Sequence, residues 1–275
     1  MTAEAPAKWW EGQMGGLDTE STGVDPHTAR IITAGVGYAT PGQRPRVLQW
    51  LINPGCDIPA EAAAVHGWTL DRIEERLAGH EAIRITDKRD TPMPRDAALF
   101  EIASHTATII GAGVPLVIAN APYDLTLLEA ELARNSIDPL TSRPKGIAGV
   151  VDPMVIEKAF DPYRKTKNGC RGGKHQCGGC GAEDRKLASL CLHYGVVHAG
   201  AHDAAADVIA AMRLAKALGA IWPSVGRLKL GTLHNHQVTW RREQANGLRE
   251  YFDKNGIEHD GVDPGWPLLE GRSTP

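Results

Sequence analysis

Cysteine is scarce in this chain: there are five in 275 residues, an odd number, and three of them fall between positions 170 and 180. That usage does not suggest a disulfide framework and fits a reducing, cytoplasmic setting. Long apolar runs are also missing. The longest, residues 107–121, is interrupted by Gly111, Gly113, Pro115 and Asn120 and falls short of the roughly 20 residues that a membrane helix needs. Residues 1–13 hold one Lys, two Glu and the adjacent Trp9 and Trp10 but no apolar core, so they do not read as a signal peptide. Charge of one sign is lacking as well. Thirty basic residues stand against thirty-three acidic ones, for a net charge of −3. A chain so balanced does not bind nucleic acid through its overall charge, and any such contact must be arranged locally.

What is present is an ordinary globular composition, 42% hydrophobic and 23% charged, enough for a sizeable core. Residues 1–13 read as a flexible start. Met14 to Glu20 is a candidate first strand, although Gly15 and Gly16 make it poor by propensity. Ile31 to Tyr38 and Val47 to Ile52 are β-rich runs split by the turn signal Pro41-Gly42, and the three suggest an antiparallel meander. Helical patterns follow over Ala60 to Leu77, Arg95 to Ile110 and Tyr123 to Arg134, with strands at Pro115 to Ala119 and Ile147 to Val151. After a polar, Gly- and Cys-rich insertion at 164–183, helical patterns resume over Asp184 to Tyr194, Asp203 to Leu218 and Leu233 to Phe252. The expectation is an α/β main domain at 14–220, with a helical appendage at 221–275.

Three short patterns carry chemistry. Asp18-Thr19-Glu20 ends the first strand, and alternation puts both carboxylates on one face. Two acids so close repel each other unless a cation lies between them. Acid-x-acid should nevertheless occur roughly four times by chance in such a composition, so the pattern means little alone. Asn120-Ala121-Pro122-Tyr123-Asp124 follows a strand and opens a helix, where α/β sheets build their sites. Alone, Asp124 reads equally as a helix-capping acid. His202-Asp203-Ala204-Ala205-Ala206-Asp207 opens a helix of small residues. Five helical steps turn a side chain by about 140°, so His202 must sit on the approach loop to converge with Asp207.

In this order, Asp18 and Glu20, then Asp124, then His202 and Asp207 resemble the motifs of the DEDDh, or DnaQ-like, family of 3′→5′ exonucleases. Ile58-Pro59 and His66-Gly67-Trp68-Thr69 resemble a further segment of that family, with Trp for its Ile. Ser21 stands for one Thr of the first motif, the first strand lacks the usual large apolar residues, and Ala119 replaces a common His. His198 and Asp203 repeat the five-residue spacing of the third motif, but Ala204 and the helix beyond it match the family only in the register of His202 and Asp207. The family's Tyr-bearing subclass would need Tyr at position 203, which is Asp. The resemblance covers about residues 14–218 and implies a ribonuclease H-like fold: a mixed sheet of a meander plus parallel strands, flanked by helices.

The resemblance also implies a role for each residue. Asp18, Glu20, Asp124 and Asp207 would hold two Mg²⁺ or Mn²⁺ ions, hard cations that prefer oxygen ligands. His202 would act as general base, a task suited to the side chain that titrates near neutrality. Thr22, His66 and Trp68 are candidates to meet the terminal nucleotide, Trp68 either by stacking on a base or as core packing. Asn120 either holds sugar or backbone or closes a turn. The implied activity is hydrolysis at the 3′ end of single-stranded DNA or a 3′ overhang, with no membrane and with a replication or repair protein as an implied partner. RNA 3′-end trimming, and a nucleic-acid-binding or polymerase-associated module without catalysis, are the alternatives. In the insertion, Cys170, His175, Cys177 and Cys180 suit either a structural Zn²⁺ knuckle or a reduced loop. Its Arg164, Lys165, Lys167, Arg171 and Lys174 either guide phosphates or are merely solvated.

Overall fold

The computed structural model describes residues 8–86, 89–164, 184–200, 202–259 and 261–271. The β-rich runs near the N-terminus form the expected antiparallel meander: β1 (Met14–Ser21), β2 (Ile31–Ala39) and β3 (Arg46–Ile52). Two strands not expected from the sequence extend it, β4 (Ala82–Ile85) and β5 (Thr91–Met93). Both are short, and β5 contains Pro92, which suits the edge position it holds. β6 (Leu116–Val117) pairs parallel to β1, and β7 (Val150–Val151) pairs parallel to β6. Among the described residues these make one mixed seven-stranded sheet in the order β5-β4-β3-β2-β1-β6-β7.

The helices are α1 (Ala60–His66), α2 (Leu70–Leu77), α3 (Arg95–Ala112), α4 (Ala121–Arg134), α5 (Pro153–Phe160), α6 (Leu187–His193), α7 (Ala204–Ile221), α8 (Pro223–Gly226) and α9 (Leu230–Asn255). The single helix expected over 60–77 is therefore two. Gly67 takes the left-handed conformation at φ 74° and ends α1, and the Thr69 side chain then accepts from Arg72 N to start α2. Of the two, α2 packs on β3 and buries Ile73 and Leu77, whereas α1 buries no residue.

Pairing register explains the weak-looking first strand. Gly16 lies opposite Gly37, and Asp18 opposite Gly35, on the face that α7 covers. A Cβ at Gly37 would collide with Val208, and one at Gly35 would lie 2.9 Å from the Ala204 carbonyl oxygen. The missing side chains are what allow α7 to lie against the sheet. On the opposite face, Gly15 leaves the same kind of room for Ile109 of α3.

The sheet separates two apolar layers. On one side α3 and α4 bring Leu99, Ile102, Leu125 and Leu128 against Leu17, Val36 and Trp50. On the other, α5, α6 and α7 bring Ile156, Leu190, Val208 and Met212 against Met14, Val117 and Val151. Each such fully buried side chain is worth about 1.5–3 kcal/mol. The C-terminal region feeds both layers: Leu233 of α9 joins the α7 side, and Trp266 joins the α3 and α4 side. At the start of the chain, Trp9 is buried and its indole N–H donates to Val225 O at 3.1 Å.

The zinc reading of Cys170, His175, Cys177 and Cys180 falls on residues outside those described. The flanks of that insertion are described. Arg164 Nε lies 2.9 Å from Glu157 Oε1 and Arg185 pairs with the other oxygen, so one fully buried carboxylate of α5 ties both ends together. No helix among the described residues is long and apolar enough to cross a membrane.

Candidate active site

The carboxyl ends of β1 and β6 and the N-terminal ends of α4 and α7 meet at one edge of the sheet. Alternation along β1 turns Asp18 and Glu20 toward α7 and Thr19 toward α4. The start of α7 is fixed by Asp203, whose side chain accepts from Ala206 N at 3.0 Å. One turn later Asp207 faces back over β1. Ligand atoms of Glu20, His202 and Asp207 lie within 4.8 Å of one another. His202 sits on the approach loop in a left-handed conformation, φ 65°, with its backbone N–H donating to Asp207 Oδ2 at 3.1 Å. Its side chain is exposed, whereas Asp207 is buried.

Asp124 enters from the opposite helix layer. It is buried in the first turn of α4, and Thr19 Oγ1 donates to its Oδ1 at 2.7 Å. Asp18 lies between these groups. Its carboxyl is held well above the ordinary aspartate range by burial and then by the charges of Asp124, Asp207 and Glu20. Burial and the charges of Asp207 and Asp124 push Glu20 up to about 8. Burial pushes Asp124 to about 7, against the opposing hydrogen bond from Thr19. Such a cluster is unfavourable as bare carboxylates and becomes favourable around a cation. Four carboxylates with no thiol among them form a donor set for a hard divalent ion. Cys191, its thiol pushed to about 12 mainly by burial, belongs to the core.

The other singled-out residues are placed less uniformly. His66 is half-buried, its Nδ1 accepts from Trp68 N at 3.1 Å, and it lies close enough to Ser21 and His202 to feel both. Thr22 is buried, and its hydroxyl accepts from Arg30 N of the chain's own loop at 2.9 Å. Trp68 packs on Ile32, Leu51, Ile73, Leu77 and Ile83, with the Arg72 guanidinium 5.3 Å from its ring centre. Asn120 is exposed at the entry to α4, in a left-handed conformation.

Two residues that the sequence reading left without a role belong to this site. His198 Nε2 donates to Asp207 Oδ1, so Asp207 is held from both sides. The signal was its repeat of the five-residue spacing, which pointed to Asp203, whereas the fold brings His198 to Asp207. Tyr123 bonds through its hydroxyl to Ser21 Oγ and to Gly23 O. It thereby ties the loop after β1 to α4.

No protein-family model matches the sequence, and no curated protein sequence matches it. Solved structures do match. Exonuclease I of E. coli in complex with a dT13 oligonucleotide superposes with a TM-score of 0.54 at 19% identity over 78% of this chain and 42% of that one. The fold is that of the matched part of exonuclease I. The zinc-bound complex of the E. coli enzyme with single-stranded DNA gives 0.57 at 18% identity over 87% and 45%, and exonuclease I of Methylocaldum szegediense gives 0.53 at 21% over 88% and 45%. The chain thus spans less than half the length of the exonuclease I structures it matches. Their ribonuclease H-like architecture is the one expected from the DEDDh resemblance and built here by the mixed sheet and its two helix layers.

Proposed function

We propose that this chain is a divalent-metal-dependent 3′→5′ exonuclease that hydrolyses phosphodiester bonds at the 3′ end of single-stranded DNA. The observation that carries the reading is the convergence of Glu20, His202 and Asp207 within 4.8 Å, beside the Asp18 and Asp124 carboxyls. Asp18, Glu20, Asp124 and Asp207 are the residues that would hold two Mg²⁺ or Mn²⁺ ions. When bound, such ions supply stabilisation for charge on the non-bridging oxygens and on the leaving 3′ oxygen.

The chain's own residues do the rest. His202 is exposed and stands over the cluster, where its imidazole takes a proton from the attacking water. Asp207 accepts from the His202 backbone and so fixes the loop that presents that ring. Val24 and Val65 are exposed apolar side chains on the segments that bear Thr22 and His66, and they offer surface to the terminal base. The choice of DNA rests on exonuclease I complexes with dT13 and dA16 oligonucleotides.

The test uses 5′-labelled DNA and RNA oligonucleotides with Mg²⁺ or Mn²⁺. A ladder shortening from the 3′ end of DNA is expected, reduced about 10²–10⁴-fold by His202→Ala, the usual range for a lost general base. Asp18→Ala should abolish it. Trimming of RNA in preference to DNA would replace the substrate, and binding with no ladder under either metal would replace the enzyme by a binding module.

A further inference from the structure

The junction where β6 passes into α4 is held by a residue from outside both. Asn120 stands there at φ 64° and ψ 47°, unusual for a residue with a Cβ, and its side chain makes no capping bond. The conformation is fixed instead by Asp152, which is 1% exposed. Its Oδ1 accepts from Asn120 N at 3.2 Å and its Oδ2 from Ala121 N at 3.0 Å. The same carboxylate caps α5, accepting from Met154 N at 2.9 Å and Val155 N at 3.4 Å. One buried acid therefore joins the N-terminal ends of two helices that leave adjacent parallel strands, where their dipoles favour its charge.

Asp152 is in turn set by α9. Its backbone N–H donates to Gln237 Oε1 at 2.7 Å, and Gln237 Nε2 donates to Val150 O at 2.9 Å and to Leu233 O at 3.2 Å. Gln237 is fully buried. Its amide does for the β7 edge what a further strand would do, giving one donor and one acceptor to backbone groups that would otherwise be orphaned. A continuous set of hydrogen bonds thus runs from the long C-terminal helix through Asp152 to the first turn of α4, which carries Asp124.

We propose that Gln237 and Asp152 are positioning residues for Asp124, and that α9 thereby sets the geometry of the metal centre without touching it. The link to metal rests on the function proposed above, whereas the link to the α4 entry does not. Loss of a group bonded directly to a metal ligand typically changes metal affinity or activity by about 10–100-fold. Asp152 acts through the backbone three and four residues before Asp124, so the lower end of that range applies.

The experiment compares full-length Gln237→Leu and Asp152→Asn with the unmodified chain by amide hydrogen exchange, Mn²⁺ titration and steady-state kinetics. Gln244→Leu is the control. Gln244 also lies on α9 and its Nε2 donates to Val155 O at 2.9 Å, with no bond to Asp152. The expected result is faster exchange in the 118–124 segment as well as at residues 152–155, whose amides the same side chains hold, about 10-fold or more weaker Mn²⁺ binding, and a fall in kcat with KM unchanged. Amides of β2 and the Gln244→Leu protein should behave as unmodified. Should Gln237→Leu fail to fold, Asp152→Asn keeps shape and volume and reads the same segment. Unchanged exchange at 118–124 in the folded variants would overturn the proposal, as would an equal change in Gln244→Leu, which would mean loose docking of α9. An unmodified chain that cleaves no oligonucleotide would sink the nuclease reading, while the exchange comparison would still decide this one.

Discussion

Asp207 is the residue on which the site turns, because each of its oxygens already has a donor, His198 on one side and the His202 backbone on the other. A carboxylate held in this way loses little freedom when it takes up a cation, which is how supporting shells sharpen metal sites. We expect His198→Ala to weaken Mn²⁺ binding by about 10–100-fold, and His198→Gln, which can still donate, to recover much of it. Titration followed by the EPR signal of free Mn²⁺ checks this, and equal affinity in the alanine variant and the unmodified chain would refute it. The carboxylates were legible only through the order of three motifs that together resemble the DEDDh family. His198 was not, because its partner is nine residues along and on the far side of a turn.

Among the elements, α7 and β1 make the site together, and glycine sets their distance. Gly35 lies opposite Asp18 and under the first residue of α7. Replacing it by alanine puts a methyl group 2.9 Å from a backbone oxygen, which no side-chain rotation relieves. Overpacking of this kind costs about 1–3 kcal/mol, and the backbone that must move is the turn bearing His202 and Asp207. Gly35→Ala should therefore lower stability in urea melts by that amount and also weaken metal binding. An added methyl at Gly111, where nothing lies within 4 Å, should do neither. Propensity alone makes β1 a poor strand, since it scores residues singly, whereas its Gly16 answers to Val208 of α7 and its Gly15 to Ile109 of α3, both far along the chain.

At the scale of the whole molecule, the crowded carboxylates make stability depend on pH and on metal together. Glu20 moves from an ordinary 4.5 up to about 8, and Asp124 from 3.8 to about 7. The folded chain without metal thus binds more protons than the unfolded chain between about pH 4 and pH 8. Where folded groups hold protons more tightly, stability is greatest below the unfolded values and is lost as pH rises through the folded ones. In EDTA, Tm should fall as pH rises from 5 to 8. Excess Mg²⁺ or Mn²⁺ should raise Tm, and raise it most at the high-pH end, because ions bind only the ionised cluster. Scanning calorimetry across that range checks both signs, and a Tm in EDTA that climbs toward pH 8 would contradict the crowding.

The sequence by itself determined the meander, the alternation of helices with strands beyond it, and the order of the acidic motifs. Those depend on periodicity and on short spacings along the chain. It also required His202 to lie on a loop, since five helical steps would have turned it away from Asp207. Only the tertiary structure decided that Thr19 ties down Asp124, that His198 belongs to Asp207, and that Gln237 of α9 reaches the start of α4 through Asp152. Those contacts join residues 105, 9, 85 and 32 positions apart. A hydrogen bond across a turn or between layers leaves no period in the sequence, because it depends on where whole elements come to rest.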